Sequence, residues 1–317
     1  MKSAIHASAN AGRITRVAVL GHSGFIGGHL VRFFGEHSPE VEVIGQALPA
    51  FDLTRPDDVD KLVGFFDDHT AVLMCAAIKR QLGDNLDAFA RNVSMAVNLC
   101  RLLERRPVAR FVFLSSAAVY GEEITDLRIT EETPARPTSF YGAAKFACEC
   151  LFRQVVSQRS GSSLLVLRPA LIYGPGDQGG YGPSGFVKAA VAGRQIVLWG
   201  DGMEQREFVY IDDLIRLVHR LTFESFEGVL NVVSGRSCTF AQAIDLVARR
   251  VPLVQSVVSR PRTKPKADHA FQTGRLLDWL PDFSFTPLEE GIRRTAAAES
   301  HSASQTWSAG GKTLIKS

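Results

Sequence analysis

Short apolar runs alternate with amphipathic segments through the first half of the chain. Val17-Ala-Val-Leu20 is followed by glycines at 21, 24 and 27 and then by Leu30, Val31, Phe33 and Phe34 at helical spacing. That order predicts a strand, a tight turn and a helix N-terminus. Runs at 41–45, 71–77, 111–114 and 164–167 predict further strands, and segments 56–67, 87–104 and 141–158 predict the helices between them. Ala71-Val-Leu-Met-Cys-Ala-Ala77 is apolar throughout, as suits a strand covered on both faces. Strands alternating with helices argue an α/β fold with a doubly wound parallel sheet.

The texture changes after Pro175. Residues 176–185 are rich in glycine and proline and predict a mobile loop or lid. A helix over 186–192, a strand over 196–199, a helix from 212 and a strand over 229–233 follow, the last two returning to the main sheet. Helices over 240–250 and 287–294 belong to a smaller lobe, and periodicity fades after about residue 298. The expected division is a sheet domain over 13–174 plus 207–233 and a smaller α/β domain over 175–206 plus 234–297. Flexible tails are expected at 1–12 and 298–317.

Composition narrows the class. At 317 residues the chain exceeds one ordinary domain, which favours one large core with an appended lobe. A net charge of +3 is too small to argue for nucleic acid or an anionic membrane as partner. No apolar run approaches the ~20 residues that span a bilayer, and the first dozen residues lack the apolar segment of a secretory signal. Cys75, Cys100, Cys148, Cys150 and Cys238 show no metal-ligand spacing with histidines. Their apolar neighbours predict buried free thiols in a reducing compartment, and no metal. A soluble cytoplasmic protein is expected.

The candidate chemistry begins at the glycines. Gly21 lets the chain turn, Gly24 lets backbone approach a ligand, and Gly27 lets helix pack on strand. The helix N-terminus behind them suits a pyrophosphate, although the same glycines would serve a turn in an unrelated α/β protein. A dinucleotide site expects an acidic residue at the end of the second strand. Gly45-Gln46-Ala47 stands there, which leaves NAD and NADP unseparated. Asp52 could accept from an adenine amino group or cap the next helix. Lys79 and Arg80 read either as a solvated basic loop or as contacts to a phosphate or an acidic substrate.

Tyr141 and Lys145 lie four apart in a helical segment, so both side chains face one way. A phenol ionises near pH ~10, and a nearby ammonium favours its phenolate. Ser116, at the carboxyl end of a parallel strand, can hydrogen-bond a substrate oxygen and the phenolate together. The three supply proton transfer for a hydroxyl that becomes a carbonyl as hydride leaves for a nicotinamide.

Gly-His-Ser-Gly-Phe-Ile-Gly27, Ser115-Ser-Ala-Ala-Val-Tyr-Gly121, Tyr141-Gly-Ala-Ala-Lys145, Arg168-Pro-Ala-Leu-Ile-Tyr-Gly-Pro175 and Arg206-Glu-Phe-Val-Tyr-Ile-Asp-Asp213 resemble the extended short-chain dehydrogenases/reductases. They are most similar to the nucleotide-sugar epimerase/dehydratase branch, in the family's order over roughly residues 15–297. The resemblance implies a Rossmann domain with a small C-terminal substrate domain, and bound NAD with NADP as the alternative. It also implies a homodimer through the helices around 88–104 and 141–158. In that pattern Ser116, Tyr141 and Lys145 are catalytic. Cofactor contacts are implied for Gly21, Ser23, Gly24, Phe25, Ile26, Gly27, Gln46, Asp52, Leu53, Cys75, Ala76, Ala77, Asn92 and Arg168, beside Tyr141 and Lys145. Substrate contacts are implied for Lys79, Ser116, Ala117, Ala118, Leu171, Arg206 and Arg260. Arg206 matches the arginine on the sugar-nucleotide phosphates, its structural alternative being an ion pair with Glu207 or Asp212.

Three departures matter. The 4,6-dehydratases carry an Asp-Glu pair where Ala117 and Ala118 stand, and elimination of water needs a placed acid and base. The fucose-synthase-like enzymes carry a cysteine at Ala118, which argues against their double epimerisation. Many UDP-sugar 4-epimerases have an asparagine where Leu171 stands, which leaves the substrate nucleotide open. The expected activity is a nucleotide-sugar 4-epimerase acting by transient oxidation at C4, the alternative an NADPH-dependent 4-ketosugar reductase. An NAD(P)-sensing protein without activity needs the glycine turn but not the Ser116, Tyr141, Lys145 set.

Overall fold

The computed structural model describes residues 14–179, 182–262 and 265–310, with side chains described through residue 302. The tail expected at 1–12 lies outside the described residues. In chain order the first half runs β1 (Arg16–Leu20), α1 (Phe25–His37), β2 (Glu42–Gln46), α2 (Pro56–Asp60), β3 (Thr70–Met74), α3 (Leu86–Arg105), β4 (Arg110–Leu114), α4 (Phe140–Val156) and β5 (Ser163–Pro169). The second half runs β6 (Leu171–Tyr173), α5 (Gly182–Val191), β7 (Val197–Trp199), β8 (Gln205–Arg206), β9 (Phe208–Tyr210), α6 (Ile211–Phe223), β10 (Gly228–Val232), β11 (Cys238–Thr239), α7 (Phe240–Ala248), β12 (Val258–Arg260), α8 (Gly274–Trp279) and α9 (Leu288–Gly310).

Six strands form one parallel sheet in the order β10-β5-β4-β3-β1-β2. Side chains alternate across it, as the two-residue period of a strand demands. Val17 and Val19 of β1, Ala71 and Leu73 of β3, and Val112 and Leu114 of β4 face one core, with α1, α5 and α6. Ala18, Leu20, Val72, Met74, Phe111 and Phe113 face the other, with α3 and α4. A strand buried on both faces needs no polar residue, so these runs are apolar without a break. The chain leaves β1 toward β2 on one side and reaches β3 on the other. The crevice at that reversal, outside the carboxyl ends of the strands, is where open α/β sheets bind ligands.

Several boundaries differ from expectation. The strand expected over 71–77 ends at Met74, because the backbone N–H groups of Cys75 and Ala76 both donate to Leu20 O at 2.9 Å and turn the chain across the end of β1. The helix expected over 56–67 is α only to Asp60 and tightens into a 3₁₀ turn over Lys61–Gly64. The segment expected as a loop to residue 185 is helical from Gly182. Ser184 Oγ accepts from Gly174 N at 3.0 Å, and Lys188 Nζ donates to Asp177 O, which pins residues 174–177 to α5. The tail expected from 298 is the continuation of α9, which runs to Gly310. Its inner face carries fully buried Ile292 and Thr295, and helix propagates outward from a packed turn even where the outer residues have no apolar period. Cys150 is exposed rather than buried, and all five thiols are free. Among the described residues no helix is long and apolar enough to cross a membrane, and no His, Cys, Asp and Glu cluster could hold a metal.

Candidate active site

The turn after β1 is built for close approach. Gly21 takes φ +94°, and a Cβ there would stand 2.7 Å from Ala76 N. Its own N–H donates to Gln46 O at 2.7 Å, tying the turn to the end of β2. Gly24 is the extended N-cap of α1, with no side-chain cap and no acidic residue in the first turn. The helix-end N–H groups and the positive end of the dipole are therefore left for an anion. Ser23 and Gly24 are exposed beside that end, and Phe25 and Ile26 are half-buried in its first turn. These features fit a dinucleotide pyrophosphate on residues 21–27.

Other expected cofactor residues divide by what their polar atoms already do. Gln46 ends β2 with neither acid nor cation beside it in sequence. Asp52 accepts at Oδ1 from Thr54 N at 2.9 Å and from Thr54 Oγ1 at 2.8 Å, and the N-cap of α2 is Arg55, so Asp52 does not cap that helix. Leu53 is core, and its carbonyl accepts from Asn98. Ala76 and Ala77 leave a low wall at the end of β3, and burial pushes the Cys75 thiol up to about 12, so it stays protonated at neutral pH. Asn92, expected at the cofactor, holds Ile78 by both backbone groups at 2.8 and 3.1 Å and fixes the loop after β3. Arg168, also expected there, is 4% exposed, with two bonds to Glu149 at 3.0 and 2.6 Å and one to Tyr120 Oη at 3.0 Å. Its donors are directed into the protein interior, because a buried guanidinium needs a carboxylate beside it.

Around the ends of β4 and α4 the remaining candidates converge. Lys145 is 5% exposed; its Nζ donates to Leu114 O at 2.6 Å and lies 5.8 Å from the Tyr141 ring centroid. The two share a face of α4 because they are one helical turn apart. Ser116 follows β4 by two residues and caps the 3₁₀ turn Ala117–Tyr120, its Oγ accepting from Ala118 N at 3.1 Å. Gly142 has no room for a Cβ, which would meet the Ala118 carbonyl; that contact brings the start of α4 down onto the serine turn. The tyrosine is held by Asp84, which sequence reasoning missed, and behind it by Arg80, read from sequence as a solvated basic residue or a phosphate or substrate contact. Asp84 accepts from Tyr141 N at 3.0 Å, and Arg80 pairs with Asp84 at 3.2 Å and Glu122 at 2.5 Å. No local period marks the Arg80–Glu122 and Asp84–Tyr141 contacts, since they join residues 42 and 57 apart. Lys79 is exposed, its Nζ 5.7 Å over the Phe25 ring.

The remaining substrate candidates lie on β6, β8 and β12. Arg206 donates to Ala267 O and to its neighbour Gln205 O at 2.9 Å, and pairs with Glu204 at 3.7 Å rather than with Glu207 or Asp212. Glu207 is buried and accepts from Ser234 N and Gly235 N instead. His269 Nε2 lies 2.7 Å from Gly121 O, which ties the segment before α8 to the loop after Ser116. Burial first, then the Arg206 charge, depresses its pKa to about 4. Leu171 opens β6 beside Glu207, and Arg260 is exposed, 5.8 Å over the Trp199 ring.

The chain is similar to known proteins over most of its length. The chain is 26% identical to a GDP-L-fucose synthase of Sinorhizobium fredii, covering 88% of this chain and 94% of that one. It is 27% identical to a dTDP-4-dehydro-6-deoxy-D-allose reductase of Streptomyces, over the same shares. A UDP-glucose 4-epimerase of Thermus thermophilus, solved in complex with NAD, superposes with a TM-score of 0.78 at 26% identity, over 90% of this chain and 98% of that one. The model of the NAD dependent epimerase/dehydratase family matches residues 17–232. That span is more than half of the sequence, and the chain belongs to the NAD dependent epimerase/dehydratase family.

Proposed function

We propose that the protein is a nucleotide-sugar 4-epimerase that keeps NAD bound through its catalytic cycle. The observation that carries the reading is the grouping of Ser116, Tyr141 and Lys145 at the ends of β4 and α4, with alanines at 117 and 118. A hydroxyl positioned by Ser116 can pass its proton to Tyr141, with the Lys145 ammonium on the next turn of the same helix face. NAD, when bound, accepts a hydride and returns it. The chain's own part is to hold the C4 oxygen, move its proton and keep the keto sugar from leaving. No carboxylate stands beside Ser116 in sequence to eliminate water, which disfavours a dehydratase.

Residues 21–27 hold the pyrophosphate of the cofactor in this reading, and Arg206 and Arg260 meet the phosphates of the substrate. The sheet domain comprises 13–174 and 207–233, and 175–206 with 234–297 form the substrate domain. The enzyme acts as a cytoplasmic homodimer. A 4-ketosugar reductase using NADPH is the second reading, supported by the name of the Streptomyces relative and by Gln46 at the end of β2, where an acid would repel a 2′-phosphate. Incubation with 4-deuterated UDP-hexose and no added cofactor separates them. Inversion at C4 with the label retained is expected. Turnover only with a 4-ketosugar and NADPH supplied would replace the first reading with the second.

A further inference from the structure

Behind Ser116 lies a run of buried polar side chains that the proposed proton transfer does not use. Glu149 follows Lys145 by one helical turn and Tyr141 by two, so all three share a face of α4. It is fully buried. Its Oε1 accepts from Ser115 Oγ and from Arg168 Nε at 3.0 Å, and its Oε2 from Arg168 Nη2 at 2.6 Å. Arg168 Nη1 donates to Tyr120 Oη at 3.0 Å, and that hydroxyl donates to Asn231 Oδ1 at 2.8 Å. Arg168 and Asn231 are register partners on β5 and β10. One carboxylate thus joins α4, the end of β4 and β5 directly under the candidate site.

Two details make this more than a structural pair. Ser115 sits between Leu114, whose carbonyl accepts from Lys145 Nζ, and Ser116. Glu149 and Lys145 therefore grip successive residues of the strand end that carries the serine. In addition, a buried ion pair is no more stabilising than apolar side chains of the same volume. Stability alone gives no reason for one here.

We propose that the Glu149–Arg168 pair is a positioning unit: it fixes Ser116 against Tyr141 by way of Ser115, and its cancelled charges leave Lys145 to govern the ionisation of Tyr141. The inference rests on the catalytic reading of Tyr141 given above. The other titratable and charged groups around this centre include Asp84 and Arg80 on the loop after β3, Glu122 paired with Arg80, Cys75 at the end of β3, Cys148 on α4, Tyr120 beside Arg168 and Glu131, which accepts from Asn231 N. None of these residues is itself replaced in the variants that test the pair. Glu149→Gln removes the negative charge, while Arg168 stays protonated at any working pH. Its uncompensated cation then adds to Lys145 in favouring the phenolate.

The test is a pH titration of the whole protein at the tyrosinate absorbance, from which the titration of the same variant carrying Tyr141→Phe is subtracted in each case, so that Tyr120 beside Arg168 cancels and only Tyr141 is read. It requires neither substrate nor cofactor. In Glu149→Gln the Tyr141 midpoint should fall by roughly half a pH unit or more. In the double variant Glu149→Gln, Arg168→Met it should return to the wild-type value. Coincident midpoints in wild type and Glu149→Gln would overturn the electrostatic half. Should Glu149→Gln not fold, Ser115→Ala tests the tether with every charge in place. Turnover is expected to drop about tenfold at unchanged nucleotide affinity and to recover in Ser115→Thr, which keeps the hydroxyl. Full turnover in Ser115→Ala, or a loss that threonine does not restore, overturns the positioning half. Full turnover in Tyr141→Phe would instead sink the catalytic reading, and the titration would still judge the pair.

Discussion

Tyr141 is held by its backbone as much as by its helix: Asp84 takes its N–H, and Lys145 on the next turn is anchored to Leu114. Tyr141→Phe leaves both bonds in place and removes only the phenolic hydroxyl. Turnover should fall 10²–10⁴-fold, the usual contribution of a general acid or base, with nucleotide affinity within about twofold in a binding titration. Arg206 gives a second prediction. A bidentate guanidinium is the natural partner of two phosphates, so Arg206→Ala should raise KM 10- to 100-fold with a smaller effect on kcat. An unchanged KM with a lowered melting temperature would make it a brace for Ala267 and Glu204. Positions on the same strands and helices mark what can be read from sequence. Tyr141 and Lys145 are legible because one turn of helix sets their spacing. Asn92 and Arg168 read as cofactor contacts because a polar residue in a motif does not reveal its partner. Ile78 and Glu149 lie 14 and 19 residues away, and only the fold brings them close.

Among the elements, α4 joins site and core. Phe152 packs its ring on Phe111 at 4.5 Å and on Phe113 at 5.0 Å between centroids, fully buried, one helical turn beyond Cys148. Phe152→Ala should cost about 3–5 kcal/mol in a denaturant titration. The seating of α4 on β4 would loosen with it, so turnover should fall before the protein unfolds. The contact between the small lobe and the serine turn depends on pH. His269 titrates near 4 in the folded chain against ~6.5 unfolded. A depressed histidine contributes stability while neutral, so that stability is complete above pH ~6.5 and is lost as pH falls from there toward 4. The loss should be about 1–2 kcal/mol after allowing for partial exposure. Melting curves at pH 7 and 5 should differ less for His269→Gln than for wild type. The strands and helices themselves are legible where an apolar period runs without interruption. Their ends are not, because the stop of β3 at Met74 is set by Leu20 O on a different strand. Likewise α9 persists past residue 298 on the anchorage of Ile292 and Thr295.

On the scale of the whole molecule, a ligand that binds only the folded chain stabilises it by mass action. NAD at a hundred times its dissociation constant should add about 2.7 kcal/mol and raise the melting temperature by several degrees. NADP at the same concentration should add less if the 4-epimerase reading holds, and a larger rise with NADP would favour the reductase. The order of the sheet has a further consequence, in the time domain of synthesis. β5 finds its outer neighbour only in β10, and about sixty residues of small-lobe and crossover sequence separate Pro169 from Gly228. At a ribosomal rate of roughly 5–20 residues per second, the open edge of β5 stays without its partner for roughly 3–12 s on every nascent chain. During that interval the backbone of residues 163–169 is a template for any extended strand nearby. The yield of folded enzyme is therefore set in part by how quickly the ribosome delivers the return strand. Slow codons placed across residues 170–227 should lower that yield without changing a single contact in the finished fold.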